Sequence, residues 1–258
     1  MPPIWQEPMK GWTQFNNLRE SVRQLRGFSS ITGLSEVQKC HLVSSIAYPL
    51  GGPCLFVTYD DIQADKFYND FRFFFPKETV SFPQRELMLY NAAAHSQDLI
   101  SQRLRVLEGL TRGEKLVIVA SIDALMTPLM PVKVFKDSIL ELAEGQEHSL
   151  ARLAERAVDL GYERVDTVEG KGQFSQRGSI FDIFPPSSEK PFRIDFFDDF
   201  IDSITSFDPL SQRSDSRIER AVISPAGELV LTSQQIRAGR DKIEQDLRDL
   251  LSKRKDTE

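Results

Sequence analysis

Lys39 is where an enzymatic reading of this chain has to begin. A phosphate-binding loop follows the pattern GxxxxGK[ST]. Its glycines let backbone N–H groups wrap the phosphates, its lysine brings a positive charge, and its hydroxyl ligates Mg²⁺. The chain offers Gly33, Leu34, Ser35, Glu36, Val37, Gln38, Lys39 and Cys40. Gly33 and Lys39 fall in register, whereas Gln38 replaces the second glycine and Cys40 the hydroxyl. Gln tolerates the required backbone poorly, a thiol is a poor ligand for a hard cation, and Glu36 would add repulsion inside the cradle. The loop at Gly33, Gln38, Lys39 and Cys40 is therefore degenerate. No nucleotide cofactor is expected, and Lys39 is expected to be a solvated helix residue. Asp123, behind the apolar run Leu116–Ala120, is offset from the place of a magnesium ligand and is expected to be a helix N-cap. His41, His95 and His148 show no metal-site spacing. His41 adjoins Cys40, but adjacent helix positions point apart and no third group orients the pair.

Binding chemistry is better represented, in residues 173–208, QFSQRGSIFDIFPPSSEKPFRIDFFDDFIDSITSFD. Aromatic and β-branched runs broken at Pro185–Ser188 and at Asp198–Asp199 predict three antiparallel strands, roughly 173–184, 191–197 and 200–207. Alternate residues of a strand share a face. Ile194 and Phe196 then lie on one side, and Arg193, Asp195 and Phe197 on the other. In the first strand the same alternation groups Arg177 with Phe181 and Ile183, against Ile180, Asp182 and Phe184. One side is apolar enough to pack, while the other sets Arg and Asp beside an aromatic ring, which suits a protein contact. A surface pair of Arg193 or Arg177 with Asp195 is the simpler alternative, as is a solvated strand edge for the clustered aspartates.

The runs RGSIFDIFP and RIDFFDDFIDSI, with GYERVD upstream at 161–166, resemble the second domain of the bacterial transcription-repair coupling factors. The same pattern occurs in UvrB, a component of the nucleotide-excision-repair excinuclease. The resemblance extends from about residue 30 to about residue 230. It implies docking of the excinuclease component UvrA, with Arg164, Arg177, Arg193 and Asp195 as contacts and Tyr162 and Phe197 as apolar supports. RNA polymerase and DNA would be bound only by parts of such a factor that this chain does not show. The segment 82–96 also resembles the coupling factor. Tyr90 is its only tyrosine, and the long tyrosine-rich hairpin of UvrB, which inserts between DNA strands, is not there. A UvrB-like ATPase or damage-binding fragment is the alternative.

The elements that must position these residues follow from periodicity. Phe15, Leu18, Val22 and Leu25 mark an amphipathic helix, and Leu34–Tyr48 a second one. Ser29–Gly33 is expected to be a short strand and turn. Cys54–Thr58 and Leu116–Ala120 are apolar runs of the kind that forms strands covered on both faces. Helices over 61–75 and 98–112, with a strand over 79–82, complete an alternation that predicts a parallel sheet. The fold class expected is α/β: a degenerate P-loop motor-like domain (1–126) interrupted by a smaller α+β domain with an antiparallel sheet (127–209). Residues 210–258 would then return to the first domain through Val222–Ser224 and Leu229–Leu231, and end in a helix striped by Ile243, Leu247, Leu250 and Leu251. Val132–Leu140 is expected to be a strand and Leu150–Leu160 a helix.

Composition sets the outer limits. The chain has 258 residues, is 40% hydrophobic and 27% charged, and carries a formal net charge of -6. That balance, with Asp195, Asp198, Asp199, Asp202 and Asp208 on the binding stretch, disfavours a phosphate backbone as its ligand. No apolar run approaches the ~20 residues of a membrane helix, so no membrane contact is expected. Cys40 and Cys54 are expected to be buried free thiols, which fits a cytoplasmic setting.

Overall fold

The computed structural model describes residues 3–24, 27–85, 93–230 and 233–255. It is mixed α/β and divides into two units, Met1–Pro128 and Leu129–Glu258. Leu25, Tyr90 and Leu231 lie outside the described residues, as do the side chains of His95, Leu250 and Leu251.

In the first unit a 3-10 turn (Ile4–Met9) precedes α1 (Thr13–Arg23), α2 (Glu36–Leu50), β1 (Cys54–Thr58), α3 (Asp61–Phe74), β2 (Thr79–Phe82), α4 (Ala93–Thr111), β3 (Val117–Ser121) and α5 (Ile122–Met126). The three strands form a parallel sheet in the order β1-β3-β2. The central strand β3 is buried along its whole length, as its continuous apolar run requires. On one side Val117 and Val119 pack with Phe67, Phe71 and Cys40, and on the other Ile118 and Ala120 pack with Val106 and Phe82. α3 begins where Asp60 accepts a 2.7 Å hydrogen bond from the Gln63 amide. Arg103 is fully buried, with its guanidinium 3.9 Å from the Phe82 ring centroid and a 2.6 Å donation to the Pro83 carbonyl. It ties the segment after β2 to α4.

Three expectations for this unit are corrected. The run 54–58 is covered on only one face. β1 is an edge strand, so Phe56 packs on α3 while Leu55 and Val57 stay 53% and 44% exposed. Residues 29–33 form neither strand nor helix, and Phe28 and Ile31 are exposed. The N-cap of α5 is Ser121, whose Oγ accepts from the Ala124 amide at 3.2 Å, so Asp123 sits in the first turn instead.

The second unit runs through α6 (Val132–Asp137), β4 (Leu140–Ala143), α7 (Leu150–Asp159), β5 (Glu163–Arg164), β6 (Gln173–Arg177), β7 (Ile180–Ile183), β8 (Phe192–Phe197), β9 (Phe200–Phe207), β10 (Ser214–Arg217), β11 (Arg220–Ile223) and α8 (Ser233–Lys255). Its main sheet has six strands in the order β10-β9-β8-β7-β6-β5, antiparallel except for the β5–β6 pair. Phe174, Phe181, Ile183, Ile194, Phe196, Ile201 and Ile204 form the inner face. They pack on α7 through Leu153, Ala154 and Ala157, and on the two-stranded β4–β11 ribbon through Leu142, Ala221 and Ile223. Burying side chains of this size contributes about 1.5–3 kcal/mol each.

Here too the chain departs from expectation. Residues 132–137 are helical because Pro131, with φ -54°, opens a helical turn that buries Phe135. The expected first strand of the meander is two strands, since Gly178 turns the chain at φ +59° and pairs Arg177 with Ile180. Val222 does not join the parallel sheet. It pairs with Glu141 in the β11–β4 ribbon, where Ala221 and Ile223 meet the core of the second unit.

Candidate protein-docking face

The outer face of the six-stranded sheet is organised by register. Cross-strand partners place Ser175, Asp182, Arg193 and Thr205 in one row, and Arg177, Ile180, Asp195 and Ser203 in the next. Beyond them Phe197 pairs with Phe200 beside the turn at Asp198, which has φ +52°. The turn at Gly178 resets the alternation of the strand. Arg177 therefore lies on the face of Asp182 and not with Phe181 and Ile183, which reverses the sequence expectation.

Asp182 is the centre of this face and is 1% exposed. Its carboxylate accepts two hydrogen bonds from Arg193, 2.8 Å from Nε and 2.9 Å from Nη2, and a third from Arg177 Nη2 at 3.3 Å. The simpler alternative, a pair of either arginine with Asp195, does not form: Asp195 accepts from the Ser203 hydroxyl at 3.3 Å, and the buried Asp182 takes both guanidiniums. Charges taken out of water must be paired to persist. Arg193 meets that need, and the Asp182 hydrogen bond holds its proton more firmly than usual. Its Nη1 also donates to the Gln212 carbonyl at 3.2 Å, and its guanidinium lies 4.6 Å from the Phe207 centroid. With its side chain only 17% exposed, Arg193 is enclosed.

Arg177 differs, being 53% exposed and held by that one long bond. Phe197 is 72% exposed and Phe200 50% exposed, so neither ring is core. One end of the face is covered, where Val165, Val168, Phe184 and Phe207 cluster and Gln212 donates to the Val168 carbonyl at 3.0 Å. The other end, with Arg177, Ile180, Asp195, Phe197 and Phe200, is open.

The two remaining candidates lie elsewhere. Tyr162 is buried in the inner core, where its hydroxyl donates to the Ser224 carbonyl at 2.6 Å and burial pushes its pKa well up. It supports the domain from within rather than touching its surface. Arg164 is exposed, but the β5–β6 register sets it level with Phe174 on the inner-face side of the sheet edge. The structure therefore brings Arg177, Arg193 and Asp195 together with Phe197, and leaves Arg164 and Tyr162 apart. Sequence reasoning missed Asp182 and Phe200. Asp182 could have been found by restarting the strand alternation after Gly178, and Phe200 by pairing it with Phe197 across the Asp198–Asp199 turn.

At the degenerate loop, Gln38 Oε1 accepts from the Ser35 amide at 2.9 Å at the start of α2. The residue in the glycine's place thus caps the helix itself. Lys39 is exposed, and Cys40 is buried with its thiol pushed up to about 12, chiefly by burial. His41 bonds the Trp5 carbonyl and stacks on Phe74 at 5.8 Å, which gives it a packing role. Among the described residues no group of His, Cys, Asp and Glu is placed to hold a metal ion. No described helix is long and apolar enough to cross a membrane.

The small mixed sheet thus has one face packed and the other half open, and the open half carries an exposed arginine and two exposed aromatic rings. Residues 140–229 match the UvrB interaction domain family, the stretch from β4 to beyond β11. The chain is similar to the transcription-repair-coupling factor of Bacillus subtilis (strain 168), 35% identical over 241 residues, 93% of this chain and 20% of that protein. It is 33% identical over 208 residues to that of Staphylococcus aureus (strain Mu50), covering 80% of this chain and 18% of the relative. The chain spans about a fifth of the length of these relatives.

Proposed function

We propose that this chain is a non-catalytic docking module of a transcription-repair coupling factor, and that the open half of its six-stranded sheet binds the excinuclease component UvrA. The observation that carries the reading is the exposure of Arg177 and Phe197 on one face of a domain that matches the UvrB interaction domain family. Arg supplies planar, bidentate hydrogen bonding and aromatic rings supply apolar area, and these two kinds of residue dominate interface energetics. In the complete factor the module would bring excision repair to lesions at which RNA polymerase has stalled, while polymerase and DNA would be engaged by other parts of the protein. The self-capped start of α2 and the Gln38 and Cys40 replacements favour a scaffold role for the first unit over the UvrB-like ATPase. Two titrations test this. Purified UvrA should bind the chain saturably, and ATP·Mg²⁺ at millimolar concentration should not. Nucleotide binding with no UvrA binding would overturn the proposal.

A further inference from the structure

Of Asp182 and Asp195 on the outer face, only Asp182 is enclosed, and it is the one that touches both arginines. Its two guanidinium partners are held unequally. Arg193 gives it two short, parallel bonds and spends a third donor on the Gln212 carbonyl, while its flat face rests against Phe207. Arg193 thus balances the buried charge and has little surface left to offer. Arg177 gives the same carboxylate a single bond through Nη2, and more than half of its side chain remains in solvent. A free arginine side chain forfeits about 2 kcal/mol of rotamer entropy when a partner fixes it, and a guanidinium already tethered at one nitrogen has lost part of that freedom beforehand. The tether also limits how the guanidinium can turn: one of its five donors is held by Asp182 through Nη2, and the other four remain for a partner.

Resting on the docking reading above, we propose that Asp182 is a positioning residue: it makes no contact with UvrA but fixes the Arg177 guanidinium in the orientation that the partner reads. Arg193 is the counter-charge that compensates for burying Asp182 there. The surface that receives Arg177 then supplies a carboxylate or carbonyl oxygen to the guanidinium donors that Asp182 does not use, next to an apolar recess for Phe197.

The test is a double-mutant cycle in UvrA affinity, measured on the full chain. Asp182→Asn keeps the side-chain volume but removes the charge that holds Arg177, and it should weaken binding about five- to tenfold, the size of one charge-assisted contact disturbed but not removed. In an Arg177→Ala background the same substitution should change affinity by less than about twofold. Asp182→Asn also leaves Arg193 unneutralised, so the charge-neutral pair Asp182→Asn with Arg193→Gln is run alongside. It should recover the melting temperature and leave the affinity reduced. A readout independent of the partner is the Arg177 Nε–H resonance, whose order should fall in Asp182→Asn and hold in wild type. An equal affinity loss with and without Arg177, or an Arg177 side chain equally ordered in both proteins, would overturn the positioning role. Wild-type chain that fails to bind UvrA while its Arg177 remains ordered would overturn the docking reading and leave the tether standing.

Discussion

The unequal roles of the two arginines around Asp182 can be separated by stability alone. Arg193→Ala removes two short bonds to a carboxylate that is 1% exposed, along with the contact to Phe207 at 4.6 Å. Breaking a buried ion pair from one side costs about 3–5 kcal/mol. Arg177 can swing part of the way to compensate, so the expected loss is about 3 kcal/mol. Arg177→Ala removes one 3.3 Å bond from a side chain that is 53% exposed, and Asp182 keeps both bonds from Arg193. Solvent screening limits that loss to about 0–1 kcal/mol. For a unit of this size each kcal/mol moves the melting temperature by about 4 °C, so the two variants should differ by about 8 °C or more. Trp5 and Trp12 both lie in the first unit, so tryptophan fluorescence reports on the wrong part of the chain. Hydrogen exchange at the amides of β7, β8 and β9 reports on the right one. Protection there should collapse in Arg193→Ala and persist in Arg177→Ala. Equal costs for the two variants would refute the division into an enclosed counter-charge and a presented contact.

Other consequences can be checked with the same material. Tyr162→Phe strips the buried Ser224 carbonyl of its donor and should cost about 1–3 kcal/mol, with UvrA affinity unchanged, as binding titration would show. The Tyr162 pKa is raised by burial, so the neutral phenol favours the folded state. The stability it contributes is full below the unfolded value of about 10 and falls as pH rises from there toward the raised folded value, visible as a declining melting temperature in alkaline buffer. Cys40, fully buried and with its pKa pushed up to about 12, should resist a thiol reagent at neutral pH until the first unit unfolds. Phe181→Ala, at a site with no exposure between α7 and the sheet, should cost about 3–5 kcal/mol in denaturant titration followed by circular dichroism.

Much of this fold was legible because periodicity survives wherever packing is two-sided. The run 116–120 announced a strand covered on both faces, which is β3, and the helix expected over Leu150–Leu160 is α7. Legibility failed where one residue changes parity. Gly178 looks like any strand glycine, yet the turn it makes moves Arg177 across the sheet and so decides what Arg177 can touch. It failed again at Cys54–Thr58, since an apolar run cannot say whether its strand sits at the centre or the edge of a sheet. The candidate site was half legible for a related reason. Exposure separates Arg177 and Phe197 from Arg193 and Tyr162, and exposure depends on the loop at 208–213 and on the β11–β4 ribbon, both long-range features. Asp182 escaped notice because a lone acid in a strand gains meaning only from the arginine that register brings beside it.

If the open half of this sheet grips UvrA through Arg177, reversing that one charge should be enough to release the partner. The decisive comparison is UvrA affinity for wild type and for Arg177→Glu, each first shown to have the same melting temperature. Binding that vanishes in the folded variant is the expected result. A folded Arg177→Glu protein that binds UvrA as tightly as wild type would mean that the docking face lies elsewhere.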